Sequence, residues 1–249
     1  MENRRGSGIF LGIVGVATLV VAIIGATFAY FSASRTADNT IDETAYEFNV
    51  AVDLTPVLPN PHSGEKLIPL AADATVENGE VTNLEHALNT AGCLFNVKAA
   101  GDVGEGTNYQ ACALYKLTIT NNGANPISLK GTITSIENGS TTGSSFVNLK
   151  YRELVVAEED YLAPVGKIGL STEKTAKDLP EKNGILNLND IADLPAGETE
   201  TIFFVVYLNE DGADNNAEMG AIYKGQVTYA DPNTGSQLSA TFSVAGANE

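Results

Sequence analysis

Apolar and polar residues alternate with a period of two along much of the chain after residue 45. The alternation is clearest over Tyr46–Leu54, and it returns over residues 113–120, 127–134 and 146–156. A period of two places one face of a strand against a core and the other face in solvent. These segments therefore predict half-buried β-strands.

Other segments complete the predicted fold. Thr201–Leu208 is a near-continuous apolar run, which predicts a strand that is buried on both faces. Residues 221–229 and 237–244 predict a last strand pair, joined by the turn sequence Asp231–Gly235. Leu84–Leu88 predicts one or two helical turns. Seven or more strands separated by turn residues predict an all-β fold, a two-sheet antiparallel sandwich with Greek-key connections of the jelly-roll or immunoglobulin-like type.

The longest apolar stretch of the chain lies at residues 9–31, directly after Arg4 and Arg5. About 20 apolar residues, rising about 1.5 Å each, span the ~30 Å hydrocarbon core of a bilayer. A positive flank keeps the N-terminus on the cytoplasmic side. Residues 1–33 are therefore expected to form a hydrophobic helix, either a signal peptide or a membrane anchor, and the rest of the chain is expected at the cell surface or outside the cell.

Two outcomes for this helix remain open. The small residue Ala29 suits a signal peptidase, and cleavage after it would make Tyr30 the first residue of the mature protein. Without cleavage, residues 9–31 stay in the membrane as an anchor. Residues 34–45 form a polar joint and are a candidate donor strand, and we expect one sandwich domain over residues 46–249.

Composition narrows the choice of function. The chain has 31 acidic and 14 basic residues, a formal net charge of −17, and 43% hydrophobic residues. The hydrophobic share is enough for a folded core and is unlike that of disordered chains. A surface this acidic repels phosphate backbones, so we expect no binding to nucleic acids.

The two cysteines of the chain are Cys93 and Cys112. In an exported protein an even pair predicts a disulfide, which we expect at one edge of the sandwich. Closing a ring of about 20 residues is worth roughly 3 kcal/mol in the loop-closure account. The alternative is a pair of free or metal-bound thiols, but no neighbouring histidine or second cysteine pair completes a zinc site. Gly101, Gly104 and Gly106 predict a flexible loop inside the ring.

The end of the apolar run carries a family resemblance. Ala26–Ser32 and Ala37–Ile41 resemble the export-signal junction of the TasA/camelysin family. The resemblance implies cleavage by a dedicated signal peptidase at a Thr-aromatic-Ala site. It also implies a jelly-roll-like mature protein that polymerises into extracellular biofilm fibres of Gram-positive bacteria. The resemblance is specific over residues 25–50 and compositional elsewhere, and the cysteine pair departs from the fibre-forming members.

A second likeness covers most of the chain. It is to membrane-anchored surface proteins of gut Firmicutes that are uncharacterised, and it therefore implies no function. The shared features are the N-terminal anchor, the spaced cysteine pair and three short segments, which are Lys66–Pro69, Leu114–Asn121 and Asn148–Tyr151.

Candidate catalytic and metal-binding residues are few. The two histidines, His62 and His86, do not form the His-Glu-x-x-His pattern of zinc peptidases, and we expect both in solvated positions. The sequence also lacks a Gly-x-Ser-x-Gly turn and a phosphate-binding loop. Residues 209–218 have the oxygen ligands of a weak calcium site without the spacing of a calcium loop, so a solvated turn is the main expectation. We expect no enzymatic activity, no cofactor and no metal site.

The favoured function is that of a structural cell-surface protein, a subunit of a biofilm-type fibre that assembles by strand donation. After cleavage, the new end Tyr30–Ile41 would be a mildly apolar strand. It could add to the exposed sheet edge of a neighbouring copy, with Tyr30 and Phe31 as anchors. Expected partners are further copies of the chain or other surface proteins. The alternative is a membrane-anchored adhesin, or an ectodomain that binds carbohydrate or protein.

Overall fold

A computed structural model describes residues 48–57, 67–76, 81–90, 92–97, 107–140, 143–210, 212, 218 and 220–246. They belong to one compact unit, Glu47–Glu249. The signal or anchor helix, the cleavage site and the strand-donating end are predictions for residues outside this described part. Among the described residues, no helix is both long enough and apolar enough to span a bilayer.

Strands dominate the described residues. They are β1 (Val50–Pro56), β2 (Leu94–Val97), β3 (Thr107–Gln110), β4 (Ala113–Asn121), β5 (Ile127–Gly139), β6 (Leu149–Leu154), β7 (Lys177–Asp178), β8 (Ile185–Asn187), β9 (Ile191–Leu194), β10 (Thr199–Leu208), β11 (Ile222–Ala230) and β12 (Gln237–Ala245). The helical elements are α1 (Asn83–Thr90), which confirms the predicted helical turns, and a single 3-10 turn at Glu158–Asp160.

The strands form two antiparallel sheets that pack face to face. Sheet 1 has the order β1-β4-β10-β6-β7, and sheet 2 has the order β12-β11-β5-β8, with β9 also paired to β5. Most neighbours are not consecutive in the chain, so the chain crosses repeatedly from one sheet to the other, as Greek-key connections require. A separate hairpin, β2–β3, lies inside the ring that the cysteines close. The prediction of an all-β antiparallel sandwich is confirmed.

The strand β6 is shorter than the predicted strand 146–156. The N–H and C=O groups of Phe146 both bond to the Asn138 side chain, at 2.8 Å each. The next two N–H groups donate to the Glu218 carboxylate at 2.6 Å. Because side chains satisfy these backbone groups, the segment leaves the ladder before Leu149.

The main core lies between the two sheets and has an aromatic centre. The ring of Phe204 on β10 lies 5.2 Å from Tyr115, 5.2 Å from Tyr151 and 5.8 Å from Phe242, measured between centroids. The first two partners belong to sheet 1 and Phe242 belongs to sheet 2. The Phe242 ring lies directly over Gly225 of β11, where any side chain would collide with it. These aromatic contacts join the sheets.

A second apolar cluster covers the outer face of sheet 1. Leu84, Ala87 and Leu88 of α1 are fully buried in it. Alternate side chains of β10 divide between the clusters, since Phe204 packs in the main core and Phe203 packs in the second cluster. This arrangement confirms that β10 is buried on both faces, and it makes α1 a third layer over sheet 1.

The disulfide between Cys93 and Cys112 is present, as predicted. Its position differs from the expected sheet edge, because Cys112 directly precedes β4, the second strand of sheet 1. Both cysteines have no exposed surface and belong to the second cluster. The bond therefore ties the chain just after α1 to the start of β4 inside a packed layer. The glycine-rich loop predicted within the ring lies outside the described residues.

Buried tyrosines should make the fold sensitive to alkaline pH. Burial raises the pKa of Tyr207 and Tyr223 to about 12, and it also raises the pKa of Tyr115, Tyr151 and Tyr229 above the ordinary value. An exposed phenol ionises near pH 10, so above that pH the unfolded chain loses protons that the folded chain keeps. The buried, protonated tyrosines thus make their full contribution to the free energy of unfolding below about pH 10. This contribution is lost as the pH rises toward the pKa values that these tyrosines have in the folded protein.

We therefore expect the free energy of unfolding, measured by urea titration, to fall continuously from about pH 10 to pH 12. The phenolate absorbance of these tyrosines should appear together with the loss of the β-sheet circular dichroism signal. Ionisation of all tyrosines near pH 10 in a protein that keeps its circular dichroism would contradict the prediction.

Candidate functional site

The edge strands β1 and β12 lie on the same side of the sandwich and contact each other without pairing. We refer to the gap between them as the seam. β1 is the edge of sheet 1 and β12 is the edge of sheet 2. An edge strand presents a row of backbone N–H and C=O groups, so the seam is a candidate site for another strand.

On β1 the backbone groups alternate between the neighbouring strand β4 and the seam. Asn49 accepts a backbone hydrogen bond from the residue after β4 at 2.7 Å, and Val57 donates one to β4 at 3.0 Å. Odd-numbered residues thus bond to β4. The N–H and C=O groups of the even-numbered Val50, Val52 and Leu54 point toward the seam, and no other described strand pairs with β1.

The backbone groups of β12 likewise alternate between its neighbour β11 and the seam. The Tyr115 hydroxyl donates to the Ser243 carbonyl at 3.1 Å, and the Leu67 N–H donates to the Ala245 carbonyl at 2.6 Å. Both donors approach from the side away from β11, so the odd-numbered residues of β12 face the seam. The backbone groups of Thr241 therefore face the seam as well, and no described strand pairs with that side of β12.

These two hydrogen bonds also limit the length of the open edge. Leu67 is buried at one end of the seam and bridges to Gly246 and Gln110. Three residues later, Leu70 donates to the Leu208 carbonyl of β10 at 2.9 Å. This segment closes the seam at the C-terminal end of β12, so the open part of β12, where no described segment pairs with its seam-facing edge, is Gln237–Thr241.

Apolar side chains line the seam from both strands. Val52 and Leu54 on β1 and Leu238 on β12 pack against the main core but are only partly buried, as is Phe48 just before β1. Because both strands are edges, the uncovered surface of these side chains lies at the seam. A strand that added there would gain backbone hydrogen bonds and would bury this apolar surface.

The strand β12 lacks the features that usually protect an edge. Its sequence, Gln237–Ala245, contains no charged residue and no proline, although the chain carries 31 acidic and 14 basic residues. Charged side chains and prolines normally discourage pairing at an edge. β1 has both, in Asp53 and in Pro56, whose missing N–H would face the seam. β12 is therefore the more open of the two edges.

The residues that the sequence assigned to export and assembly, Ala29, Tyr30 and Phe31, lie outside the described residues. Cleavage after Ala29 and anchoring by Tyr30 and Phe31 therefore stay predictions. The polar joint 34–45 also lies outside. It leads in sequence to Phe48, which lies just before β1 and packs against the main core.

Metal-binding candidates are limited in the part of the chain that the structure describes. His86 is exposed on α1, and its Nδ1 lies 3.2 Å from the Thr90 hydroxyl; His62 lies outside the described residues. Among the described residues, no cluster of three or more His, Cys, Asp and Glu side chains is arranged to hold a metal ion. Glu158 and Glu159 are exposed, and the neighbouring Asp160 pairs with Lys167.

The acidic stretch 209–218 is described only in part. Its last residue, Glu218, is buried, and the carboxylate accepts hydrogen bonds from the N–H groups of Val147 and Asn148, at 2.6 Å each. This carboxylate therefore holds the chain before β6, a role that the sequence analysis did not predict. The solvated turn over the rest of the stretch, and weak calcium binding as its alternative, stay predictions.

A buried carboxylate lies on the opposite side of the sandwich from the seam. Glu153 on β6 has a side chain that is 6% exposed. Its Oε2 lies 3.1 Å from Lys174 Nζ and accepts a hydrogen bond from Asn189 Nδ2 at 2.9 Å. Its Oε1 accepts a hydrogen bond from the Tyr151 hydroxyl at 3.2 Å. We refer to these four residues as the Glu153 cluster.

The surroundings hold the Glu153 cluster in place. The Arg152 guanidinium donates to the backbone carbonyls of Lys174 and Ser171, at 3.0 and 3.1 Å, which fixes the loop that carries Lys174. Burial, and to a lesser extent the Glu153 carboxylate, raises the pKa of Tyr151 well above its ordinary value. Tyr151 thus stays protonated and donates to Glu153. A small polar cavity adjoins the cluster.

The sequence analysis missed the Glu153 cluster, because its members come from three distant segments. The sequence does contain one indication of this cluster. Glu153 continues the buried phase of the alternation that contains Leu149 and Tyr151, so a carboxylate stands where an apolar residue is expected. A charge at such a position is rarely buried without partners.

No protein-family model and no curated protein sequence matches the chain. Fifteen solved chains are similar to it, and three of them share 7 to 12% sequence identity with it. A FixG-related protein from Vibrio parahaemolyticus has a TM-score of 0.27 and 7% identity, over 61% of this chain and 90% of that one. A family 123 glycoside hydrolase from Clostridium perfringens has a TM-score of 0.32 and 12% identity, over 81% of this chain and 28% of that one.

The third structure is AvmM, which catalyses macrocyclization in alchivemycin A biosynthesis. It has a TM-score of 0.32 and 10% identity, over 55% of this chain and 82% of that one. Likenesses this distant carry no argument about function. The comparisons do not test the resemblance to the TasA/camelysin family, which stays a prediction.

Proposed function

We propose that this protein is a structural cell-surface protein whose copies assemble into a fibre by strand donation. The donor is the segment Tyr30–Ile41 of one copy, and the acceptor is the seam of the next copy. The observation that carries the proposal is the open, uncharged edge of β12 beside partly buried apolar side chains. The disulfide between Cys93 and Cys112 is in keeping with a location outside the cell.

The lengths of donor and acceptor are compatible. An extended segment of 12 residues, Tyr30–Ile41, spans about 40 Å at roughly 3.3 Å per residue. The open part of β12, Gln237–Thr241, is about 17 Å long by the same measure. The donor can therefore fill the open edge and leave several residues to bridge the two copies. A head-to-tail contact whose rotation does not close yields a filament rather than a ring.

The charge of the chain is in keeping with this mode of assembly. With a net charge of −17, two copies repel each other at long range unless salt screens the charge. The donor has one acidic residue, Asp38, and one basic residue, Arg35, and the acceptor stretch has neither kind. Strand addition therefore brings together a donor whose side chains carry no net charge and an acceptor stretch without charged side chains.

We expect a protein that starts at Tyr30 to form filaments and a protein that starts at Thr40 to stay monomeric.

The sharper test changes one seam-facing residue. Thr241→Pro removes an N–H that points to the seam, while the even-numbered residues that bond to β11 keep theirs. Filaments should be lost in Thr241→Pro and kept in the matched variant Thr241→Ala. Negative-stain microscopy and light scattering measure both.

Several outcomes would contradict the proposal. Normal filaments from a folded Thr241→Pro protein would exclude β12 as the acceptor edge. Monomers from the Tyr30 protein under all salt and pH conditions would favour the alternative, a membrane-anchored adhesin or binding ectodomain. Filaments that survive replacement of both Tyr30 and Phe31 by alanine would exclude these residues as anchors.

A further inference from the structure

The geometry of the Glu153 cluster points to a covalent modification. We propose that Lys174 and Asn189 react to form an intramolecular amide cross-link, with Glu153 as the catalytic residue. The side-chain nitrogens of Lys174 and Asn189 lie 3.1 and 2.9 Å from the same carboxylate oxygen, Glu153 Oε2. An amine, a carboxamide and a proton acceptor are thus held together. This inference is independent of the proposed strand donation.

The reaction joins Lys174 Nζ to Asn189 Cγ. Glu153 accepts a proton from the lysine ammonium, which frees the nitrogen lone pair to attack Cγ. The new C–N bond forms, and the bond from Cγ to Nδ2 breaks. Both protons that Nζ loses pass through Glu153 to the departing nitrogen, which leaves as ammonium. A lysine ammonium and an asparagine amide thus become one secondary amide and one ammonium ion, with no oxidant, reductant or cofactor.

The surroundings suit each group to its role. The Glu153 side chain is 6% exposed, so its carboxylate is shielded from water and acts on the groups that touch it. The Tyr151 hydroxyl holds the second oxygen at 3.2 Å, which leaves Oε2 for the two reacting side chains. The Lys174 side chain is 39% exposed, so ammonium can escape to solvent. Holding reacting groups together removes much of the entropic barrier to the step.

The cross-link would clamp the two sheets together. Lys174 lies in the loop before β7, the edge strand of sheet 1, and Asn189 lies between β8 and β9 of sheet 2. Without the bond, the direct polar contacts here are reversible, such as the hydrogen bond from Lys177 to the Asn187 carbonyl at 3.4 Å. An amide would link the two sheets permanently on this side of the sandwich, which is opposite the seam.

Mass spectrometry of the full chain tests the proposal. After reduction of the disulfide and digestion, we expect a branched peptide that joins the Lys174 and Asn189 segments. Its mass should be lower than the sum of the two by one ammonia. Glu153→Gln and Lys174→Arg should abolish the branched peptide, and Asn189→Ala should do the same. The matched control, Lys177→Arg, changes the neighbouring lysine and should keep it.

Three results would contradict the cross-link or the role of Glu153 in forming it. Folded wild-type protein with a linear Lys174 peptide and a linear Asn189 peptide would overturn the proposal. A branched peptide at equal yield in Glu153→Gln would overturn the catalytic role of Glu153. Ammonia loss that fragment spectra place at another asparagine would also count against it. Lys174→Arg keeps the positive charge beside Glu153, so it tests the bond even if Glu153→Gln fails to fold.

Discussion

Replacing Phe204 by alanine should lower the free energy of unfolding by about 3–5 kcal/mol, the range measured for large aromatic side chains in cores. Phe204 is 1% exposed and contacts aromatic rings of both sheets. The substitution removes apolar surface from the core and leaves a cavity between Tyr115, Tyr151 and Phe242. None of these rings can fill it, because each is packed against other residues.

Urea unfolding followed by circular dichroism measures the effect. Phe204→Leu is the matched control, since it keeps most of the apolar volume, and it should cost less than half as much as alanine. Val155→Ala changes an exposed apolar residue near the end of β6 and should change stability by less than about 0.5 kcal/mol. A loss for Phe204→Ala that is no larger than the loss for Val155→Ala would show that the aromatic centre does not hold the two sheets together.

Removing the disulfide should lower the free energy of unfolding by roughly 3 kcal/mol, which is the chain-entropy estimate for a ring of this size. The bond spans a sequence separation of 19 residues and is fully buried in the second cluster. The variant Cys93→Ala with Cys112→Ala keeps both positions apolar and removes the covalent bond together with two buried sulfur atoms, whereas the reduced wild-type protein loses only the bond. We expect the sheets to stay folded at room temperature, because their core is separate from the second cluster.

The local effect should fall on α1. The bond holds the chain directly after this helix to β4, so its loss should speed amide hydrogen exchange in Asn83–Thr90 more than in β11 or β5. Wild-type protein that is unfolded in reductant and refolded should match the double variant. Equal exchange rates of α1 in the oxidised protein and the variant would show that helix packing alone, rather than the bond, holds this layer.

Periodicity predicted most of the strands because it depends on local residue order. The alternation of Ala113–Asn121 appears as buried and partly exposed positions of β4, and the apolar run of β10 appears as a strand covered on both faces. The predicted helical turns and the cysteine pairing also agree with the structure. In each case the prediction depended only on neighbouring residues or on the number of cysteines.

The ends of the strands were less predictable. β6 stops short of the predicted strand because Asn138 and Glu218 take the backbone groups of residues 146–148. Asn138 lies on β5, eight residues before Phe146, and Glu218 lies 71 residues after Val147, so both side chains come from outside the segment. Periodicity within residues 146–156 contains no information about them, so it extended the strand too far.

The sequence by itself thus determined the all-β class, the faces that the strands bury and the partner of each cysteine. Only the tertiary structure decided that α1 covers sheet 1, that β1 and β12 meet at an open seam, and that Glu153 lies between Lys174 and Asn189. The physical reason is that a period of two reports whether a face is buried, whereas strand order and side-chain clusters depend on which distant segments pack together.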